Sequence, residues 1–400
     1  MTDHSPASSV RPTEDTNDAG PHAVRSLRSD LGERPFLVIW EVTRACGLVC
    51  RHCRADAVAH RDPSELDTDE GRRLLDDLAG YGAPRPIVVL TGGDPFQRPD
   101  LVELVAHGSA AGLNMSLSPS VTPLLTRDAL SALRDAGARA ISLSLDGRTA
   151  ASHDGMRGVE GVFGATLEAA RHVRELGFRL QINTTVTADN VTELPGVLDL
   201  VLTLGATLWS VFFLVPTGRG SLLSQLSADD TEVVLHWLHD VSPYVAVKST
   251  EAPHFRRIAL QRANGARGPG GSLRGVLDER TTEVVRHAPR RPTGPRPPLD
   301  VNAGRGFAFI DHLGTVYPSG FLPASAGSVR RQRFSDIYRD APLLQSLRSR
   351  TAFTGRCGRC EFHGVCGGSR SQAYAATGDP LGDDPTCAHR PVGAAGEVRP

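Results

Sequence analysis

Six short apolar runs mark the first half of the chain: FLVIWEV (36–42), PIVVLTG (86–92), LNMSLS (113–118), AISLSLD (140–146), RLQINTTV (179–186) and TLWSVFFLV (207–215). Each has the length of a strand and is bounded by turn-formers, and between them apolar positions recur at helical spacing near 69–80, 99–111, 126–136, 160–176 and 190–204. Asp128 and Asp189 lie near the starts of these helical stretches, and Gly112, Gly137, Gly177 and Gly205 just past their ends. Strand and helix in alternation predict a parallel sheet with crossover helices. Six such units without a glycine-rich dinucleotide fingerprint predict an α/β fold built on a partial (β/α)6 TIM-like barrel. In such barrels the functional residues gather where the strands end.

After Gly220 the alternation fades into a helix near 228–241, a short AVKS strand and the loop GARGPGGS. Next comes HAPRRPTGPRPP (287–298), whose prolines cannot continue a helix or a central strand. The chain therefore divides into a tail (1–33), a barrel core (34–220), a connector that completes the core and ends in the Pro/Arg-rich linker (221–299), and a second unit (300–400). The second unit opens on a hairpin-like GFAFID-HLG-TVYP and ends in a loop-rich, cysteine-bearing segment. With little hydrophobic periodicity, that segment needs a staple, and metal is one. The first 33 residues mix Ser, Pro, Thr, Asp and Arg with no apolar run, the composition of a disordered tail rather than a secretion signal, which points to the cytoplasm. The uncharged run 200–218 has the length of a membrane span, but Gly205 interrupts it and Pro216 closes it, so a helix followed by a buried strand is expected and no membrane partner.

Forty-four Lys+Arg against 45 Asp+Glu leave a net charge of -1, which provides no field for holding a phosphate backbone, so no nucleic acid partner is expected. Lys248 is the single lysine, and no Gly-rich phosphate loop precedes it. The seven cysteines are the most informative residues. Three fall in CGLVCRHC, as Cys46, Cys50 and Cys53, and four in the series Cys357-x2-Cys360-x5-Cys366-x20-Cys387. Clustering at metal-ligand spacing marks them as thiolate ligands rather than scattered core residues. Three ligands on the loop after the first strand suit a four-iron cubane with one iron left open to an exogenous chelate, whereas structural zinc takes four. The four tail cysteines saturate one cubane. Because CGRC (357–360) also suits half a zinc ribbon, a zinc site, and with it a non-catalytic zinc or iron-sulfur binding protein, stays open as an alternative.

The CGLVCRHC segment resembles the CxxxCxxC signature of the radical S-adenosylmethionine (SAM) superfamily. TGGDP (91–95), at the end of the second strand, resembles that family's GGEP motif with aspartate for glutamate, which implies that Gly92, Gly93, Asp94 and Pro95 hold the methionine amino group. The resemblance also implies that Ser144, closing the fourth strand, and Arg157, in HDGMRG (153–158), contact the ribose or the methionine carboxylate. Asn183 and the loop after Leu214 fall to the nucleoside, and His52 to packing at the adenine. The tail resembles the SPASM/twitch group, whose C-terminal domain holds auxiliary 4Fe-4S clusters. A second auxiliary cluster would draw ligands near Asn302, Ser319 and the 369–370 step, where this chain has no cysteine, so one auxiliary cluster is expected.

Within that group, CGGSRSQAYAATGDPLGDDPTC is similar to radical SAM enzymes that remodel tetrapyrrole side chains in haem and haem d biosynthesis, with Ser369, Ser371 and Gln372 replacing residues of their usual CGGCRARAYA. The resemblance implies that reduced flavodoxin or ferredoxin supplies an electron and SAM is cleaved reductively. The resulting 5′-deoxyadenosyl radical abstracts hydrogen from the substrate. The expected outcome is oxidative, decarboxylation-type remodelling of a tetrapyrrole side chain; maturation of a ribosomal peptide is the alternative. No Ser/His/Asp or paired-carboxylate constellation calls for another chemistry, and no general acid or base is assigned. Anaerobic reconstitution should yield about eight irons per chain and no zinc, by metal analysis; about four irons with one zinc would remove the auxiliary cluster.

Overall fold

Alternate residues of an extended run face opposite ways, so each apolar run can bury one side under helices and turn the other inward. The computed structural model of the protein, which describes residues 23–27 and 29–392, makes parallel strands of all six runs. They are β1 (Leu37–Glu41), β2 (Ile87–Thr91), β3 (Asn114–Leu117), β4 (Ala140–Ser144), β5 (Arg179–Val186) and β6 (Leu208–Phe213), hydrogen-bonded in that order. The expected helices form at Thr68–Ala79, Leu101–Ala110, Arg127–Asp135, Val162–Glu175 and Leu194–Thr203. A seventh parallel strand, β7 (Val247–Thr250), pairs with β6 and contains the AVKS motif's last three residues.

The core lies between sheet and helices. Trp40 and Trp209 on its outer face are fully buried, and Trp209 meets Trp237 of the helix Ala228–Val241 edge-on at 6.0 Å. Before residue 300, three helices lack a clear signal in the sequence: Ala150–Arg157, Phe255–Ala263 and Ser272–Val285. The first is only two turns long and contains Gly155; the last is anchored by buried Leu277 and by Thr281, whose hydroxyl accepts from the Trp237 indole at 2.9 Å. The uncharged run 200–218 divides into the end of a helix and β6, and no helix among the described residues is long and apolar enough to cross a membrane.

The last hundred residues add β8 (Asn302–Ala303), β9 (Gly306–Ile310), β10 (Thr315–Tyr317) and β11 (Gly327–Ser328). β9 and β10 form the expected antiparallel hairpin. β9 also pairs in parallel with the free edge of β1, placing Leu37 opposite Phe307 and Ile39 opposite Phe309. One sheet thus runs β11-β10-β9-β1 and on to β7 across the proline-rich linker. An unpaired β1 edge would expose a row of backbone groups, and β9 covers it.

On the opposite side β7 and β9 do not pair, and a side-chain bridge spans the opening. Glu251, directly after β7 and at φ 60°, accepts from Ser319 Oγ at 2.9 Å and from Ser369 Oγ at 2.6 Å. Buried arginines also staple the loop-rich tail. Arg256 donates to the carbonyls of Val365, Cys366, Leu299 and Val301, and Arg370 to those of Gly368, Pro380 and Gly382.

Part of the expected 1–33 tail is described and packs against the rest of the protein. Residues 1–22 and Arg28 lie outside the described residues, but Arg25 bridges Leu299 and Leu31 is buried. The buried Tyr338 hydroxyl explains the docking, since it donates to the Leu31 carbonyl at 2.7 Å and accepts from Gly306 N at 2.8 Å. Tyr338→Phe should leave both backbone groups unpaired and lower stability by about 1–3 kcal/mol in denaturant titration, with faster hydrogen exchange at residues 29–34. Unchanged exchange there would mean that the segment is held by something else.

Candidate functional site

The chain leaves β1 at Glu41 and runs over the barrel's C-terminal end, placing Cys46, Cys50 and Cys53 on one loop. Two elements hold this loop down. From β2, Gly93 N donates to Thr43 O at 2.8 Å and Asp94 N to Ala45 O at 2.6 Å. This contact requires glycine: a Cβ at Gly92 would stand 2.3 Å from Thr43 O, and one at Gly93 2.3 Å from Ala45 O. From the loop after β6, Arg219 donates through its backbone to Cys53 O at 3.0 Å and through Nε to Cys50 O at 2.9 Å. Arg54, next to Cys53, meets Glu41 at 2.6 Å and lies over the Phe309 ring at 4.4 Å, so the loop also rests on β9.

The residues expected to surround the methionine and nucleoside fall into two groups. Asp94 is fully buried: Oδ1 accepts from Phe96 N at 3.2 Å and Oδ2 from Thr122 Oγ1 at 2.6 Å, and burial raises its pKa. Pro95 opens the short turn Pro95–Gln97, and Ser120 Oγ ties Gly93 O, at 2.6 Å, to the Cys46 thiol, at 3.4 Å. Both Asp94 oxygens are thus engaged within the loop under the cysteines. Arg157, at the end of the helix Ala150–Arg157, pairs with the buried Asp146 and reaches Cys50 Sγ at 3.8 Å. Burial works against the Asp146 charge, but Arg157, His52 and His153 together hold its carboxyl below the ordinary value. His52 lies 3.9 Å from Asp146, and burial pulls it down to about 4, so it is neutral at physiological pH.

Ser144 and Asn183 stand elsewhere, opposite each other on the inner face of β4 and β5. The same register continues from Asn183 to Ser210 and from Ser210 to Lys248, forming a polar belt across four strands. Phe212, two residues on from Ser210 along the same face of β6, meets Phe321 at 6.4 Å, while on β9 Phe307 and Phe309 share the face of Leu37 and Ile39, with Phe309 buried under Arg54.

The tail cysteines converge, as their spacing suggests. Cys357, Cys360, Cys366 and Cys387 line one open cavity with Arg257 and Asp384. Burial pushes Cys366 up to about 11 and Cys387 up to about 12, a cost that ligation of the thiolates by metal would offset. Tetrahedral zinc at its normal Zn–S length brings sulfurs within about 3.8 Å of each other. Among the described residues, the group of three candidate ligands with atoms within 4.8 Å of one another is Cys360, Glu361 and His389. No three thiols approach that closely, and the wider spread suits a cubane.

At the three positions where cysteine is missing, the structure replaces metal with hydrogen bonds. Asn302 Nδ2 donates to Gly368 O at 3.1 Å, while Ser319 and Ser369 converge on Glu251. Gln372 donates to Leu214 O at 2.8 Å and accepts from Gln225 at 2.8 Å. Sequence reasoning missed Glu251, Arg219 and the inward face of Lys248; none lies in a motif, and only the lone lysine carried a signal.

Known proteins match this arrangement at every level. The Radical SAM superfamily model matches residues 40–201. An AdoMet-dependent heme synthase of Nitratidesulfovibrio vulgaris is 38% identical over 359 residues, covering 89% of this chain and 92% of that protein. A protein of the same description from Methanosarcina barkeri is also 38% identical, covering 89% and 97%. Among solved structures, Streptococcus suis SuiB bound to precursor peptide SuiA superposes with a TM-score of 0.63 at 17% identity, over 89% of this chain and 76% of that one, and so shares the fold. With near full-length identity to such relatives and three cysteines after the first strand of a partial barrel, the chain belongs to the radical SAM superfamily, as an enzyme that uses S-adenosylmethionine and 4Fe-4S clusters.

Proposed function

We propose that this enzyme oxidatively decarboxylates a carboxylate-bearing side chain of a tetrapyrrole. The observation that carries the reading is the inner face of the barrel, where Phe212 stands next to the polar belt of Ser144, Asn183, Ser210 and Lys248 and meets Phe321 at 6.4 Å. Such a wall suits a flat aromatic macrocycle with polar edges. The heme synthase relatives support the same substrate class. The Ser369 and Gln372 departures do not oppose it, since both side chains are engaged inside the protein and not at that wall.

Cys46, Cys50 and Cys53 would hold the cluster that SAM chelates, and Cys357, Cys360, Cys366 and Cys387 the auxiliary cluster. When bound, the first cluster and SAM supply a hydrogen-abstracting radical, and the second supplies an electron acceptor. A saturated acid side chain that becomes a vinyl group and carbon dioxide loses one hydrogen atom and one further electron, and those two acceptors balance the change. Reduced flavodoxin or ferredoxin would supply the electron that starts each turnover.

The chain's own residues supply positioning. Gly92, Gly93, Asp94 and Pro95 form the shelf that sets the height of the cysteine loop, and Ser144 and Asn183 present polar atoms to the nucleoside side of the lumen. Arg157 neutralises Asp146 and donates toward Cys50, which keeps positive charge beside an anionic cluster. Glu251 ties the end of β7 to the C-terminal segment through Ser319 and Ser369.

Replacing Cys46, Cys50 and Cys53 together by alanine should abolish 5′-deoxyadenosine formation, measured by chromatography, while about four irons remain in the tail. Cys357→Ala should retain that cleavage but lose tetrapyrrole turnover. Residual 5′-deoxyadenosine from the triple variant would reassign the reactive cluster.

A further inference from the structure

The lone lysine of the chain sits inside the barrel, facing open space and without a partner. Lys248 is opposite Ser210, and in parallel strands register partners project to the same face. The outer face there belongs to Trp209 and the buried Val247, so Lys248 and Ser210 face inward; Ser210 Oγ lies 3.2 Å from Thr250 Oγ1 on that same side. Solvent reaches the Lys248 side chain, although protein encloses it, as befits a group in a wet lumen.

The charges around it leave it without a contact partner among the described residues. No described carboxylate comes within ion-pair distance. Glu251 is the acid that acts on it, but both Glu251 oxygens already accept from Ser319 and Ser369. The other charged neighbour is Arg296, which in turn is crowded by Arg25, Arg291 and Arg179. None of these four arginines forms an ion pair with a described carboxylate. A wall of one sign inside a concave site attracts the opposite sign.

We propose, resting on the tetrapyrrole reading above, that Lys248, with Arg296 behind it, is the anchor for a side-chain carboxylate of the macrocycle within the barrel. Phe212 and Phe321 take the ring, and the ammonium takes an acid group at its edge. A lysine suits this position in a chain that uses arginine almost everywhere else. Its single point charge on a flexible stem can follow a carboxylate, where the rigid guanidinium fork would demand one geometry. Burial and the charge of Arg296 pull the free ammonium down to about 8, so a bound carboxylate would restore its proton.

The sign of the pH effect follows. Affinity requires the protonated lysine, so it should hold below about pH 8 and decline above it. Because there is one lysine, an amine-acylating reagent labels Lys248 and the N-terminus alone, and peptide mass spectrometry reads each separately. In the reconstituted full-length enzyme, acetic anhydride should label Lys248 with a rate midpoint near pH 8, and coproporphyrin III should slow labelling about ten-fold or more. A porphyrin carrying four N-methylpyridinium groups, with no carboxylate, should not. By absorbance titration, Lys248→Met should weaken coproporphyrin III binding about ten-fold, with iron content and circular dichroism unchanged. Lys248→Arg should restore much of the affinity and remove the decline above pH 8.

Unaltered binding by Lys248→Met together with an unprotected lysine would overturn the anchor while the tetrapyrrole reading stood. Absence of porphyrin binding by the unsubstituted enzyme would overturn both. Protection by an acidic peptide but not by coproporphyrin III would overturn the anchor in favour of a peptide substrate.

Discussion

Strand β1 has no free edge. It is paired in parallel with β2 on one side and with β9 on the other, and the position of everything near the cysteine loop depends on that double pairing. A central strand moves only if two ladders of backbone hydrogen bonds move with it, so the loop that leaves it starts from a fixed point. Three further contacts keep the loop fixed. The glycine shelf after β2 bears on residues 43–45, Arg54 bonds Glu41 and lies over Phe309, and Arg219 reaches in from beyond β6. The Glu41 carboxyl, buried at the end of β1, is held charged by Arg54 and by His312 from the turn between β9 and β10. The barrel and the C-terminal strands thus meet at the base of the cysteine loop.

The two cysteine groups are supported in different ways. The first lies on a loop laid over a rigid barrel, where backbone hydrogen bonds from three directions leave the thiols little freedom. The second lies in a segment with little apolar core, and there Arg256 and Arg370 gather carbonyl oxygens that would otherwise lack donors. Buried guanidinium groups suit this work because each offers five N–H donors in a plane. They pre-form the cavity that the four thiols line, so metal binding need not order the whole segment.

Glu251 joins two distant segments of the chain through one carboxylate. Its carboxylate receives hydroxyl groups from two of the positions where cysteine would have served a second auxiliary cluster. A buried carboxylate is tolerated because both oxygens are satisfied, and its left-handed backbone places it across the gap between β7 and the C-terminal strands. The same arrangement turns both Glu251 oxygens to serine hydroxyls, so Glu251 acts on Lys248 at a distance and not as an ion-pair partner.

The six barrel strands, their helices and both cysteine groups were legible in the sequence, because local periodicity and ligand spacing are properties of neighbouring residues. The cluster chemistry was legible for the same reason, since CGLVCRHC and the 357–387 series keep their thiols within short reach along the chain. What spacing could not decide was pairing at long range. Nothing local to GFAFI says that its partner is a strand some 270 residues earlier, as Leu37 opposite Phe307 is. Nor does AVKST announce which face Lys248 takes, because a one-residue change of register turns every side chain of a strand over. The sequence by itself determined which elements form and which chemistry they carry. Tertiary structure decided which edge of β1 is covered, where the barrel stays open and which charges face its interior, because those depend on contacts between residues far apart in the chain.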